Sequence, residues 1–394
     1  KVLEQISAMC ITELGGTHVK EILPFQKASE ILPELHRVKE FTASFNSDNR
    51  IPNHGFDAIT KELRLFDIEN STLEVTGFRR ILSVCETTRE LLRFFKKYEE
   101  FYTYLQEYAE TIQYTSLVAE AIHKIIDRYG LVKDDASPAL QQLRKQLQHV
   151  KGQINGSFSR ALNTYAQADY LDEIRESVVE NRRVLAVKAM HRRKVKGAVL
   201  GQSKTGSIVY VEPQETLEYT TELTNLIYEE EEEVKRILKA LTEQLRPYKS
   251  LLKSYQDYLI QVDMWHAKAK YATVINGVLP MLTKEKKLHL IKAYHPLLLV
   301  SNNKKKAKTF PQTIELHPEN RIIVISGPNA GGKSITLKTV GLLQVMLQSG
   351  MLIPVDPYSE LSLFERILSD IGDNQSIENH LSTYSYRLKQ MNYF

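Results

Sequence analysis

Residues 325–338 read ISGPNAGGKSITLK, and the reading of this stretch decides the fold. Gly327, Gly332, Lys333 and Ser334 follow the order G-x-x-x-x-G-K-S, the spacing of a phosphate-binding loop. Residues 321–326 (RIIVIS) are short, apolar and β-branched, which predicts a buried parallel strand. From Ser334 onward apolar residues recur at helical spacing as far as Gly350, which predicts a helix stopped by a glycine. Strand, glycine turn and helix form the setting this motif requires, whereas a glycine-rich turn that merely matches the pattern needs neither flank. In that setting glycines let backbone N–H groups turn inward around a β-phosphate, and the helix N-terminus adds its positive end. Lys333 is expected to reach the β- and γ-phosphates, and Ser334 to bind Mg²⁺.

The remainder of the chain bounds the class. A length of 394 residues suits two or three domains with a sizeable core. With 25% charged and 42% hydrophobic residues the composition is that of a soluble globular protein. No apolar run is long enough for a bilayer and no signal peptide opens the chain, so a cytoplasmic protein without a membrane partner is expected. Cys10 and Cys85 have no metal-ligand spacing and read as reduced structural thiols.

Residues 1–130 read as helices joined by short turns, as in AITKELRLF (58–66) and LLRFFKKYEEFYTYLQEYAETI (91–112). At Ser137-Pro138 a serine N-cap and a proline at the first helical position open a long helix reaching about residue 169, with Gly152 and Gly156 as soft spots. A second long helix follows Pro213 and runs to about Arg246, where Pro247 interrupts it. Each would be about 50 Å long. Two matched helices with a compact insert between them suggest an antiparallel arm carrying something at its tip.

The insert, 171–213, contains two β-type runs, 184–187 and 208–211, with Gly197, Gly201 and Gly206 between them suggesting turns. From Asn181 to Val211 there are eight cations and no Asp or Glu: Arg182, Arg183, Lys188, Arg192, Arg193, Lys194, Lys196 and Lys204. Such a patch can neutralise phosphates and release counterions, which predicts nucleic-acid binding; a solvated basic hairpin without a partner is the bland alternative. Tyr210 is the sole aromatic residue in that span, so backbone and shape recognition is expected over base stacking.

Other features read as ordinary structure. Glu229–Glu233, five consecutive acids, is expected to be a solvated helical face. His295, before a proline, is expected to be a turn or packing residue, and Lys304, Lys305 and Lys306 a surface connection. Asp370, Asp373 and Gln375 are candidates by position for organising Mg²⁺ and water, with Ser382 and Thr383 close behind.

Together, ISGPNAGGKSITLKTVGL (325–342), AYHPLLL (293–299), SDIGDNQSIENHLSTYSYRLKQM (369–391) and GQSKTGSIVYVEP (201–213) resemble the MutS family of ABC-type ATPases. The match is to its second bacterial branch, MutS-II, and KVLEQISAMCITELGG at the start is similar to that branch's N-terminus. The resemblance implies a mainly α-helical lever and arm region with a small β-containing clamp insert, followed by the first part of an α/β P-loop domain. It divides the chain into a helical lever core (1–135), an outgoing arm (136–170), a clamp with a basic hairpin (171–213), a returning arm with helical core (214–280) and the N-terminal part of an ATPase domain (281–394).

ATP and Mg²⁺ are the implied cofactors. ATP would be held by Gly327, Pro328, Asn329, Ala330, Gly331, Gly332, Lys333, Ser334 and Ile335, with Ser382 of the signature loop LSTYS reaching the γ-phosphate across a homodimer. Lys333, Ser334 and Gln375 would be the catalytic set. The Walker B strand, the family's catalytic histidine and a C-terminal nuclease domain do not precede Phe394, so hydrolysis is expected of a longer protein. The mismatch-reading domains of the repair branch are likewise not expected.

The implied function is an ATP-dependent clamp on branched or junction DNA that suppresses homologous recombination. The alternative is an ATPase acting on stalled or collided ribosomes or structured RNA. A coiled-coil ATPase of the SMC or Rad-fifty type would carry its phosphate loop before the arm, and a generic P-loop kinase would need no arm.

Overall fold

The computed structural model describes residues 1–327 and 332–369. Along the chain come α1 (Val2–Ser7), α2 (Glu13–Lys20), α3 (Ala28–Ser44), α4 (Thr60–Leu65), α5 (Val75–Lys97), α6 (Thr103–Ala109), α7 (Leu117–Ile125) and α8 (Pro138–Gln167). Then follow β1 (Leu171–Val179), β2 (Arg182–Lys188), β3 (Gly197–Gln202), β4 (Ile208–Pro213), α9 (Gln214–Leu245) and α10 (Lys249–Ile275). The last elements are β5 (Met281–Leu282), β6 (Leu288–Ala293), α11 (Pro296–Lys304), β7 (Gln312–Leu316), α12 (Lys333–Gln348) and β8 (Glu360–Leu361). The described residues are mainly helical with two small sheets, and the chain divides into two compact units, 1–60 with 80–115 and 250–394, and 61–79 with 116–249. Residues 1–135 thus contribute to both units.

The second unit holds the two long helices. Ser137 caps α8 through Leu140 N, with Pro138 in the first turn. At 30 and 32 residues, α8 and α9 are about 45 and 48 Å long. They run antiparallel along a seam of Leu147, Val150 and Leu226, extended by Leu143, Ile154, Tyr219 and Leu223. Two members of the acidic run hold the seam in register: Arg144 Nε donates to Glu230 at 2.7 Å and Ser137 Oγ to Glu233 at 2.6 Å. The run is therefore only partly a solvated face, because Glu230 and Glu233 point at α8. Gly152 and Gly156 do not interrupt α8, and a Cβ at either would meet nothing within 4 Å.

Between α8 and α9 lies a four-stranded antiparallel sheet in the order β1-β2-β4-β3. The two predicted β-runs fall in β2 and β4; β1 and β3 escaped sequence reading. β1 has no clean polar–apolar alternation, and its register breaks between Leu171 and Glu176. Its link to β2 is Glu180-Asn181 with both φ values positive (48° and 60°), the conformation of a two-residue hairpin turn. Gly197 and Gly201 belong to β3; only Gly206 (φ 70°) sits in a turn. At Gly197 a Cβ would lie 2.0 Å from Glu212 O, so glycine there permits close approach of β4. One face of the sheet buries Leu185, Val187 and Val211 with Val195 against Phe158 of α8.

The first unit is organised around α10, which is buried around its whole circumference and contributes Tyr255, Tyr258, Trp265 and Tyr271 to the core. Its small mixed sheet has the order β5-β8-β6-β7. α12 ends in a Schellman motif: Gly350 N bonds Leu347 O at 3.1 Å and Met351 N bonds Met346 O at 3.0 Å, with Gly350 at φ 70°. A Cβ at Gly350 would stand 3.0 Å from Glu34 Cβ and 3.2 Å from Lys268 Nζ.

Residues 321–326 differ from expectation. They form no strand, and Ile322 and Val324 are 79% and 85% exposed. Ile323 and Ile325 line an apolar cavity of about 490 Å³ with Leu337 and Val340 of α12. A parallel strand of this composition is buried by neighbours on both edges and faces, and the described residues do not supply them. Cys10 and Cys85 are free; burial pushes both thiols up to about 12, with Asp263 adding to the shift at Cys10 and Glu86 at Cys85.

Two glycine substitutions should act in opposite senses. Gly152→Ala should stabilise the second unit by about 0.5–1 kcal/mol, since it removes backbone freedom without a clash. Gly350→Ala should destabilise the first unit by about 1–3 kcal/mol through left-handed strain and crowding against Glu34. Urea unfolding followed by far-UV circular dichroism, with Trp265 fluorescence as a probe of the first unit, checks both.

Candidate nucleotide loop and nucleic-acid interface

Gly327 (φ 147°) and Gly332 (φ 81°) both occupy backbone conformations that disfavour a side chain. Among the described residues, nothing lies within 4 Å of a Cβ built at either. Gly332 is the N-cap of α12, and among the described residues no side-chain cap is made there. First-turn N–H groups and the positive end of a helix are where an anion is favoured. Lys333, the first residue of α12, turns its Nζ back to donate to Gly327 O, so the ammonium spans the loop. Ser334 and Ile335 are exposed beside it. A cation, a helix N-terminus and glycines of positive φ are the groups that suit a phosphate, and Gly327, Gly332 and Lys333 supply them. Pro328, Asn329, Ala330, Gly331, Gln375 and Ser382, with Asp370, Asp373 and Thr383, lie outside the described residues.

The far end of α12 is tied deep into the first unit. Lys268 Nζ, fully buried on α10, donates to Ser349 O at 3.0 Å and lies 3.9 Å from Glu34. Burial pushes this ammonium below its ordinary range, against the pull of Glu34. Glu34 also accepts from Trp265 Nε1 at 2.8 Å and Arg37 Nη1 at 2.8 Å. Gln348 donates to Phe25 O and Phe364 O, and Gln344 to Ser362 O. None of these residues carries a motif, so the sequence offered no signal for them beyond polar residues in an otherwise apolar helical run. His295 is the N-cap of α11, accepting from Leu298 N at 3.4 Å, which is the turn role expected of it.

In the second unit the eight expected cations divide sharply. Arg182 pairs with the buried Glu212 at 3.0 Å, Arg183 with Glu176 at 2.6 Å and Lys188 with Asp169 at 2.8 Å. Arg183 also stacks on Phe158, 4.2 Å from the ring centroid. Arg192 donates to Val195 O and Gly197 O, closing its own turn. These four hold the sheet together. The acids that engage them lie just outside the acid-free stretch and reach it through strand pairing and the close of α8, which linear charge counting does not see. Arg193, Lys194, Lys196 and Lys204 remain exposed, with Lys194 over the Tyr170 ring at 5.1 Å. The exposed positive surface is thus half of the expected set.

Residues 323–394 match MutS domain V. Endonuclease MutS2 of Geobacillus sp. (strain WCH70) is 32% identical over 388 residues, covering 98% of this chain and 49% of that protein. Endonuclease MutS2 of Aquifex aeolicus (strain VF5) is 31% identical over 392 residues, covering 99% and 50%. The same-named protein of Ligilactobacillus salivarius (strain UCC118) is 34% identical over 391 residues, covering 98% and 48%. The chain belongs to the MutS family. Its place is in the MutS2 branch, and it spans about half the length of the curated MutS2 relatives it matches. Among the described residues of this MutS2-branch chain, no helix is long and apolar enough to cross a membrane.

The split among the cations has a direct consequence for stability. Arg192→Ala should cost the second unit about 1–2 kcal/mol, because two backbone carbonyls lose their donor. Lys204→Ala should change stability by less than about 0.5 kcal/mol. Paired urea titrations of the two variants test the assignment.

Proposed function

We propose that this chain is the ATP-binding and nucleic-acid-binding part of a MutS2-type ATPase that clamps branched DNA. The observation that carries the reading is the pair of positive-φ glycines, Gly327 and Gly332, before α12, with Lys333 donating back to Gly327 O. ATP would be held at Gly327 to Ile335, with Lys333 on the β- and γ-phosphates and Ser334 on Mg²⁺. Mg²⁺ would neutralise charge developing on the phosphates. Ser382 and Gln375 would complete the site, Ser382 from the second copy of a homodimer, and hydrolysis to ADP and phosphate would belong to the full-length protein.

The exposed cations at the end of the α8–α9 arm would meet a phosphate backbone. Arg193, Lys194, Lys196 and Lys204 carry this contact, while Arg182, Arg183, Lys188 and Arg192 shape the sheet that presents them. Phosphate contacts position a protein without reading sequence, so selectivity for a junction would come from shape. ATP and nucleic acid would then be coupled reciprocally, each raising the affinity for the other by the same factor. By this reading the protein works in the cytoplasm and restrains homologous recombination. No described residue favours the ribosome or structured-RNA alternative.

Two measurements test the proposal in the full-length protein. Lys333→Ala should weaken ATP binding at least about tenfold by removing a charge-assisted contact, with the fold intact; unchanged ATP affinity would exclude the loop as the site. Binding to a four-way DNA junction, a plain DNA duplex and an RNA duplex should be followed across salt concentrations. The junction should be preferred, and the triple variant Arg193→Glu, Lys196→Glu, Lys204→Glu should flatten the log–log salt slope by about 2–3. An identical slope would mean the patch is not the contact surface. Tight RNA binding with indifference to DNA form would replace the recombination reading by the translational one.

A further inference from the structure

Far from any sequence motif, the first unit brings two imidazoles and a carboxylate together. His54, from the irregular segment between α3 and α4, and Asp263 and His266, one turn apart on α10, place one ligand atom each within 4.8 Å of one another. Asp263 is fully buried, His54 nearly so, and His266 has 12% of its side chain exposed. His54 Nε2 stands 3.5 Å and His266 Nδ1 3.9 Å from Asp263 Oδ1. Both separations exceed hydrogen-bonding length.

The imidazole nitrogens are the anomaly. Among the described residues, neither ring nitrogen of His54 has a partner within hydrogen-bonding geometry, nor does His266 Nδ1. An unpaired buried polar atom costs about 1–3 kcal/mol, and three in one pocket demand an account. Apart from Asp263 at those longer distances the surroundings are aromatic: Phe41 packs edge-on against both imidazoles at 6.0 and 5.8 Å, and Phe45 against His266 at 5.8 Å. Asp263, in contrast, is held rigidly. Oδ2 accepts from Thr12 N at 2.9 Å and Thr12 Oγ1 at 2.6 Å, and Oδ1 accepts from Ile11 N at 2.8 Å, so Oδ1 keeps one lone pair. Gly15 makes room for it: a Cβ there would lie 2.3 Å from Asp263 Oδ2.

We propose that His54 Nε2, Asp263 Oδ1 and His266 Nδ1 form a tetrahedral binding site for a divalent transition-metal ion of the zinc class. Metal–ligand bonds of about 2.0–2.1 Å in a tetrahedron place the ligand atoms about 3.3–3.4 Å apart, close to the 3.5 and 3.9 Å observed. Two imidazoles and one carboxylate suit Zn²⁺ or Co²⁺ and are the wrong donors for Mg²⁺ or Ca²⁺. The bonds from Thr12 and Ile11 orient the carboxylate as such sites require. Of the three ligands His266 keeps the most exposed side chain, at 12%, although its Nδ1 is buried, and water would take the fourth position. The role is structural: the ion pins the start of α2, the 45–59 segment and α10 at one point. It stands apart from the nucleotide reading and does not depend on it.

The test uses the full-length protein without nucleotide, stripped with chelator and dialysed, with excess Mg²⁺ present to occupy oxygen-donor sites. Titration with Zn²⁺ against a chromophoric chelator should show one ion per chain. Co²⁺ should give the intense visible absorption of a tetrahedral centre. His54→Gln and His266→Gln should each weaken Zn²⁺ uptake at least about tenfold, with Trp265 fluorescence confirming the fold. Wild-type protein that takes up no Zn²⁺, or shows only the weak absorption of octahedral Co²⁺, overturns the proposal whatever the variants do. Uptake undiminished in folded variants overturns it equally.

Discussion

The first unit depends on how α12 ends. A helix is fixed where its end is bonded, and at the C-terminal end of α12 the hold is a buried cation on the last carbonyl. Lys268 reaches Ser349 O with its charge opposed to the negative end of the helix, and Gly350 turns the chain away in the left-handed conformation. Burial of that ammonium is costly unless it is bonded, and Ser349 O at 3.0 Å and Glu34 at 3.9 Å supply its partners. The result is a helix fixed at its C-terminal end to α10 and α3, with Gln344 and Gln348 stitching its flank to the backbone at 25, 362 and 364.

The second unit solves a different problem. Two helices more than 40 Å long have little to hold them but a narrow apolar seam, and a seam of leucine and valine alone permits sliding. Charged bonds at fixed heights, Arg144 to Glu230 and Ser137 to Glu233, set the register. At the tip the sheet draws on its own cations for cohesion. Half of the positive residues neutralise acids or cap carbonyls, and the rest face solvent. A positive patch is therefore smaller than its sequence suggests whenever strand pairing brings acids from outside the run.

The sequence by itself determined the local elements. Ser137-Pro138 opens α8 because a hydroxyl cap and a proline act within one turn, and Gly350 closes α12 because a left-handed residue is a local need. The GPNAGGKS spacing likewise places lysine and serine in the first turn of a helix wherever that helix forms. His295 could be read as a turn residue for the same reason.

What the tertiary structure alone decided is every relation between distant segments. Residues 321–326 have strand-like composition, but a strand exists only through partners, and composition does not supply them. The pairing of Arg182 with Glu212, the burial of Lys268 and the meeting of His54 with Asp263 and His266 join positions from 30 to more than 200 residues apart. No periodicity or spacing encodes those meetings, because the free energy that favours them comes from packing and desolvation in the folded core, not from the chain's local preferences.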